Sequence, residues 1–304
     1  MSKDNFYEPW PQLPYEEFKP TLHLLHMASQ AMGKLKLTQP FEPHWAGVVL
    51  WLTSRGFTTG PVSYQYGAYS IEMDFIEHQI ICKTSWGKTG KFDLKNMSVD
   101  GLMSVLFDTL DKIGLKVSIN TMPVEVPKPI AFHEDTVVRS YNPILAQRCW
   151  RIMLNIQRIM QCYHVKFTGV TPSIGLMWGT FDLRDVRYKG TPLPVAKSGL
   201  DYIGRNAMDD AQIETGWWCG NDRYPRPAFF AFTYPAPPGI EQAKIKPATA
   251  HWDISLKEFI LDYDDLLNAD DPDADLLSFF ESTYEAGAKL ANWDAKLNSS
   301  GKPI

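Results

Sequence analysis

Apolar and polar positions along this chain change their period several times, and each change marks an element. Pro20 suits the start of a helix over about Thr21 to Leu35, with Gly33 weakening its end. Gly47 to Thr53 is nearly continuous in apolar residues, the mark of a strand covered on both faces. Tyr69 to Phe75 alternates instead, placing Ser70, Glu72 and Asp74 on one face and Ile71, Met73 and Phe75 on the other. Across a turn at Glu77 and His78, Ile80 to Thr84 reads as its hairpin partner, followed by a strand at Lys91 to Leu94. Ser98 is placed to cap a helix that buries Leu102, Val105, Leu106 and Leu110. Gly114 stops that helix, and Lys116 to Asn120 reads as a returning strand.

The second part of the chain repeats this order. Met122 to Phe132 holds three prolines and reads as a strap. A helix is predicted from Pro143 to Tyr163, then strands at Ile174 to Tyr188, Ala228 to Tyr234 and Glu258 to Tyr263. Residues 189–227 and 235–249 read as long loops, Asp273 to Ala291 as a closing helix, and 295–304 as a frayed tail. Residues 1–20, rich in proline and aromatics, read as an extended arm anchored by Trp10.

Each half thus reads helix, strands, helix. Lys36 to Pro61 and Lys166 to Pro192 are alike in kind: each becomes an apolar, Trp-containing strand, then turns polar around an arginine before a Gly/Pro stop. The expected fold is α+β: two pseudo-repeated helix–antiparallel strands–helix halves in one compact unit. One domain over 1–304 is expected, with halves at about 17–121 and 142–295 joined by a Pro-rich strap at 122–141. Residue identity between the halves is near background, so the duplication rests on element order.

Composition narrows the function classes. A net charge of −5 offers no basic footprint for nucleic acid. No apolar run approaches the roughly 18 residues of a membrane span, and the start lacks a secretory pattern. Cys82, Cys149, Cys162 and Cys219 share no metal-like spacing and read as reduced thiols of a cytosolic protein. No dinucleotide, phosphate-loop, nucleophile-elbow or zinc-protease motif occurs, so no cofactor and no metal are expected. Oligomeric state is left open. Ten Trp, thirteen Tyr and sixteen Phe fit either a ring-filled core or a pocket that stacks flat groups.

Candidate chemistry gathers in a few places. His26, Gln30 and Lys34 are four apart on one helix face, presenting either ligand-binding groups or a solvated stripe. Glu72 and Asp74 share a strand face, either as an acid–base pair or as ordinary outward acids. Asp182 lies between Phe181 and Leu183, in a setting where a carboxylate needs a partner; Arg55 is the expected one, as a structural ion pair or as part of a site between the halves. Arg187, His44, Trp45 and Trp178 are further candidates for binding or walling a ligand. Glu125 stands among prolines in the strap, and Glu214 in a loop placed to close over a ligand.

HMASQAMGK (His26 to Lys34), HW (His44, Trp45), TSRGFTTGP (Thr53 to Pro61), MPVEVPKP (Met122 to Pro129), WGTFDL (Trp178 to Leu183), PAFFAFTYP (Pro227 to Pro235) and STYEAGAKLANWD (Ser282 to Asp294) follow one another in order. Together they resemble a family of domains of unknown function, numbered 5996, found mainly in bacteria and in some fungi. The resemblance implies a single full-length unit and brings no activity. Where the family pattern has Phe-Trp-Pro-Gly, this chain has GWWCGN (Gly216 to Asn221).

The expected function is a small-molecule enzyme or ligand-binding protein with an acid, arginine and tryptophan pocket between the halves. Glu72 or Asp74 would supply the acid or base, and Asp182, counted with them in the catalytic set, would with Arg55 and Arg187 bind and orient polar groups of the substrate. The alternative is a non-catalytic interaction module, which requires Glu72 and Asp74 to be exposed on an open sheet.

Overall fold

The computed structural model describes residues 8–194 and 206–298. Helix α1 spans Tyr15–Lys36, with Glu16 and Glu17 in its first turn and Lys34 and Lys36 in its last, each matched to the helix dipole. It begins ahead of the predicted start, so Pro20 lies inside it. Only the bond from position 20 to the Glu16 carbonyl is lost, and burial of Tyr15 and Phe18 holds the first turn in place.

Strands β1 (Trp51–Leu52), β2 (Gly56–Thr58), β3 (Val62–Tyr64), β4 (Gly67–Asp74), β5 (Gln79–Thr84) and β6 (Thr89–Asp93) follow. They form an antiparallel sheet in the order β1-β2-β4-β5-β6, with β3 also on β4. Of the predicted strand at Gly47 to Thr53 only this short β1 forms. Helix α2 (Val99–Lys112) is capped by Ser98 Oγ, which accepts from Gly101 N at 3.1 Å. Its buried stripe runs through Val99, Leu102, Met103, Leu106 and Leu110, so Val105 sits round the far flank, 39% exposed. Gly114 ends the helix at φ +92. Residues 116–120 form no strand, contrary to expectation, and the proline-rich strap after them is irregular.

Helix α3 (Pro143–His164) starts at Pro143 behind Asn142, whose side chain accepts from Ile144 N and Leu145 N. The second sheet comprises β7 (Gly175–Met177), β8 (Asp182–Pro192), β9 (Asp210–Trp218), β10 (Ala228–Tyr234), β11 (His251–Asp253) and β12 (Glu258–Asp262). Its order is β11-β12-β10-β9-β8-β7, antiparallel throughout. The single strand predicted at Ile174 to Tyr188 is a hairpin, folded back at Trp178 to Phe181, where Phe181 takes φ 60. Part of the predicted loop at 189–227 is also corrected, because β8 runs on to Pro192 and β9 is a central strand. Residues 195–205 of that loop lie outside the described residues. So do residues 299–304 of the predicted tail, while Ala295–Leu297 form a short 3-10 turn. Helices α4 (Tyr263–Leu267) and α5 (Pro272–Leu290) close the fold.

Leu50 and Leu176 exchange backbone hydrogen bonds of 3.0 and 2.8 Å, so the β1 and β7 edges of the two sheets meet. One continuous apolar core extends from Trp10 to Tyr284 and takes in α1, α2, α3 and α5. Gly33 is where α1 meets the second sheet: a Cβ there would lie 2.1 Å from the Trp178 ring, so the helix needs glycine to approach it. Among the described residues α1, six strands and α2 are followed by α3, six strands and two helices, and the strand orders of the two sheets differ, so the expected pseudo-repeat is not shown. Among the described residues no helix is long and apolar enough to cross a membrane.

Candidate functional site

The α1 residues form a staple. Gln30, fully buried, donates through Nε2 to the carbonyls of Val124 (2.7 Å) and Gly179 (3.0 Å) and accepts from Val124 N at 3.2 Å. His26 Nε2 donates to Gly179 O at 2.8 Å, and Lys34 Nζ to Met122 O at 2.8 Å. Burial pushes the His26 imidazole down to about 4 and lowers the Lys34 ammonium. These groups satisfy backbone carbonyls of the strap and of the β7–β8 turn, so the solvated-stripe reading does not hold. Glu125, at φ 57, lays its carboxylate against Gly179 in the same contact. Trp178 donates to Val48 O at 3.1 Å, and Trp45 is buried edge-on against Phe41.

Arg55 does not reach Asp182. Its Nε donates to Asp74 Oδ2 at 2.6 Å, while Ile76 N and Glu77 N donate to Asp74 Oδ1 at 2.7 and 3.0 Å. Burial alone would raise this carboxyl, but the Arg55 bond and the two turn amides outweigh it and hold it below its usual range. Glu72 is half-buried and accepts from Thr53 Oγ1 at 2.9 Å. Asp74, at 1% exposure, is the brace of the β4–β5 turn.

A different set of acids shares the outer face of the second sheet, turned away from α3 and α5. Strand alternation and register place Asp182, Arg184 and Tyr188 of β8 beside Glu214 of β9 and, beyond β10, Glu258 of β12. Asp182 and Arg184 are 7% and 6% exposed. Asp182 accepts from Thr180 Oγ1, and Arg184 Nη1 meets Glu214 Oε2 at 3.3 Å. Arg184 Nη2 donates to His44 O at a long 3.4 Å, and its Nε has no acceptor. The His44 ring stacks on Tyr188 with centroids 3.8 Å apart, and its Nδ1 lies 3.9 Å from Asp209 Oδ1, both atoms without a hydrogen-bond partner.

Electrostatics follows from that count of partners. Burial lifts Asp182 to about 6, with Thr180 and Arg184 opposing. Burial lifts Glu214 to about 7; Arg184 opposes it and Asp182 adds to it. Glu258 rises to about 8 through burial, then Glu214, Asp182 and Asp253. Asp182 and Glu214 beside the Arg184 guanidinium, and Glu258 beyond them, therefore have staggered proton affinities near neutrality, the condition for one group to hold a proton while its neighbour gives one up. Beside them Ala228, Phe230 and Ile260 make an apolar patch rimmed by Trp218, Tyr224 and Phe232, and Trp218 Nε1 is buried with no acceptor.

Arg187 points to the opposite face. Its guanidinium lies 3.6 Å from the Tyr163 ring centroid and 4.1 Å from that of Tyr284, and it donates to Tyr163 O at 2.5 Å. It does not join Asp182. Next to it Asp185 bonds His164 Nδ1 at 3.0 Å. Among the described residues no three His, Cys, Asp or Glu side chains are grouped to hold a metal ion. Two surface hollows, of about 310 and 440 Å³, lie along β5, β6 and the start of α3 and touch none of the acids of the second sheet.

Residues 10–300 match the model of a family of unknown function, DUF5996. The chain belongs to that family. No curated protein and no solved structure matches it. For this DUF5996 member, then, the geometry has to carry the functional reading. Sequence reasoning did not place Arg184, Tyr188, Asp209 or Glu258 among the site residues. The signal for β9 was present but masked: Gln212 and Thr215, both 1% exposed, break the apolar run of a buried strand.

Proposed function

We propose that this protein is a small-molecule enzyme or ligand-binding protein whose site is the outer face of the second sheet, bounded by His44 from the first half. One observation carries the reading: a buried guanidinium with a free Nε stands by Asp182 and Glu214, with Glu258 beyond them, and the proton affinities of the three carboxyls are spread around neutrality. In this reading Glu214 and Asp182 exchange a proton with the ligand, Arg184 orients it, and Trp218 and Phe230 form its apolar wall. The interaction-module alternative needed Asp74 exposed, and Asp74 is 1% exposed and tied to Arg55. The cytosol is the compartment proposed for it, on the strength of its unpaired cysteines.

A small-molecule fragment screen read by NMR tests the site. The Arg184 Nε–H and Trp218 Nε1–H groups give their own signals, and ligands that shift both are expected. Fragments that bind reproducibly yet leave both signals unmoved would sink the assignment.

A further inference from the structure

We propose that this face takes a protonated amine that also carries a hydrogen-bond acceptor, on an aromatic or apolar frame. The inference rests on the reading above and names its ligand class. Charge comes first: among the described residues Asp182 and Glu214 have one guanidinium, that of Arg184, between them and Glu258 has no ion pair, so these acids outnumber the cations beside them. A carboxylate ligand would add negative charge to an acid-rich surface. A neutral polyol would leave the mutual repulsion of the carboxyls as it is.

The acceptor is required by other atoms. Arg184 Nε and Trp218 Nε1 are buried donors without acceptors, and such groups are costly to leave unpaired. An ammonium alone would satisfy the carboxyls and leave both donors unmet. A hydroxyl or carbonyl near the amine meets them. The frame follows from the adjoining patch, where Phe230 and Ile260 are buried and Trp218, Tyr224 and Phe232 are half-buried. Ring faces of this kind hold apolar groups and sit well against cations.

Protonation is linked to binding with a definite sign. The groups facing Glu214 are Asp182 and Arg184 from β8 and Glu258 from β12, with Asp185 behind the sheet; Asp253 of β11 faces Glu258. His44 and Asp209 close the side next to Tyr188. An incoming cation favours the ionised carboxyls, so binding releases protons and tightens as pH rises through their range.

Calorimetric titration of the full chain with three probes on one skeleton decides the matter: phenylalaninol, 2-phenylethanol and 3-phenyllactate. Phenylalaninol is expected to bind about tenfold tighter at about pH 8 than at about pH 5.5, with proton release. The other two probes are expected to bind at least about tenfold more weakly. Glu214→Gln, or Asp182→Asn should the first variant not fold, is expected to weaken phenylalaninol about tenfold. If the alcohol or the acid binds as tightly as the amine and Glu214→Gln still abolishes binding, the amine class falls while the site stands. If phenylalaninol binds wild type and both variants alike, class and site both fall. No binding of any of the three overturns the amine class.

Discussion

Asp74 and Glu214 are both carboxylates on antiparallel strands, each beside an arginine, and their protons are held in opposite ways. Asp74 has a guanidinium and two turn amides to itself, which overcome its burial and keep it ionised. Glu214 shares Arg184 with Asp182 and stands near Glu258, and burial lifts it to about 7. Burial sets the scale of a shift, and the number of partners per acid sets its sign. The first sheet uses its acid to close a turn; the second leaves its acids unsettled at neutral pH.

Arg184→Met is the strongest way to break this comparison. Removing the guanidinium beside Asp182 and Glu214 should cost about 3–5 kcal/mol at about pH 8. The loss should shrink at about pH 5, where the carboxyls are protonated. Denaturant unfolding at both pH values measures it, and equal losses would reduce Arg184 to a packing residue.

Glu214→Gln sharpens the comparison through its pH slope. The folded carboxyl holds its proton up to about 7, above the ordinary glutamate value of 4.5, so ionisation at higher pH costs folded-state stability. Wild type should lose stability across that window, and the variant should gain relative to it by up to roughly 3 kcal/mol, at about 1.4 kcal/mol per pKa unit. A difference that does not change with pH would contradict the shared-arginine account.

Asp74→Asn should behave oppositely and more weakly. Its depressed folded-state pKa means stability present above the unfolded value and lost as pH falls through the folded one. Arg55 is 44% exposed, so solvent screens the pair. A cost of about 1–2 kcal/mol near neutrality, fading in acid, is expected. A cost that grows in acid would overturn the brace.

Much of the fold was legible along the chain. Ser98 and Asn142 stand at real helix caps, the β4–β5 hairpin follows its alternation, and β10 matches its predicted span. The misses share a cause. Pro20 inside α1, the turn within Ile174 to Tyr188 and the whole of β9 depend on what packs against each segment, and that overrides local pattern. Of the candidate site residues, Asp182, Glu214 and His44 come together, while Arg55, Asp74 and Arg187 serve contacts elsewhere.

By itself the sequence determined the α+β class, the order of the main helices and strands, and which side chains of β4 share a face. Those features follow from caps and side-chain period, which are local and fixed by neighbours in the chain. Tertiary structure alone decided that Arg55 belongs to Asp74, that Gln30 staples the strap, and that Glu258 joins Asp182 and Glu214. Such pairings depend on strand register and on exclusion of water, and neither exists until distant segments have met.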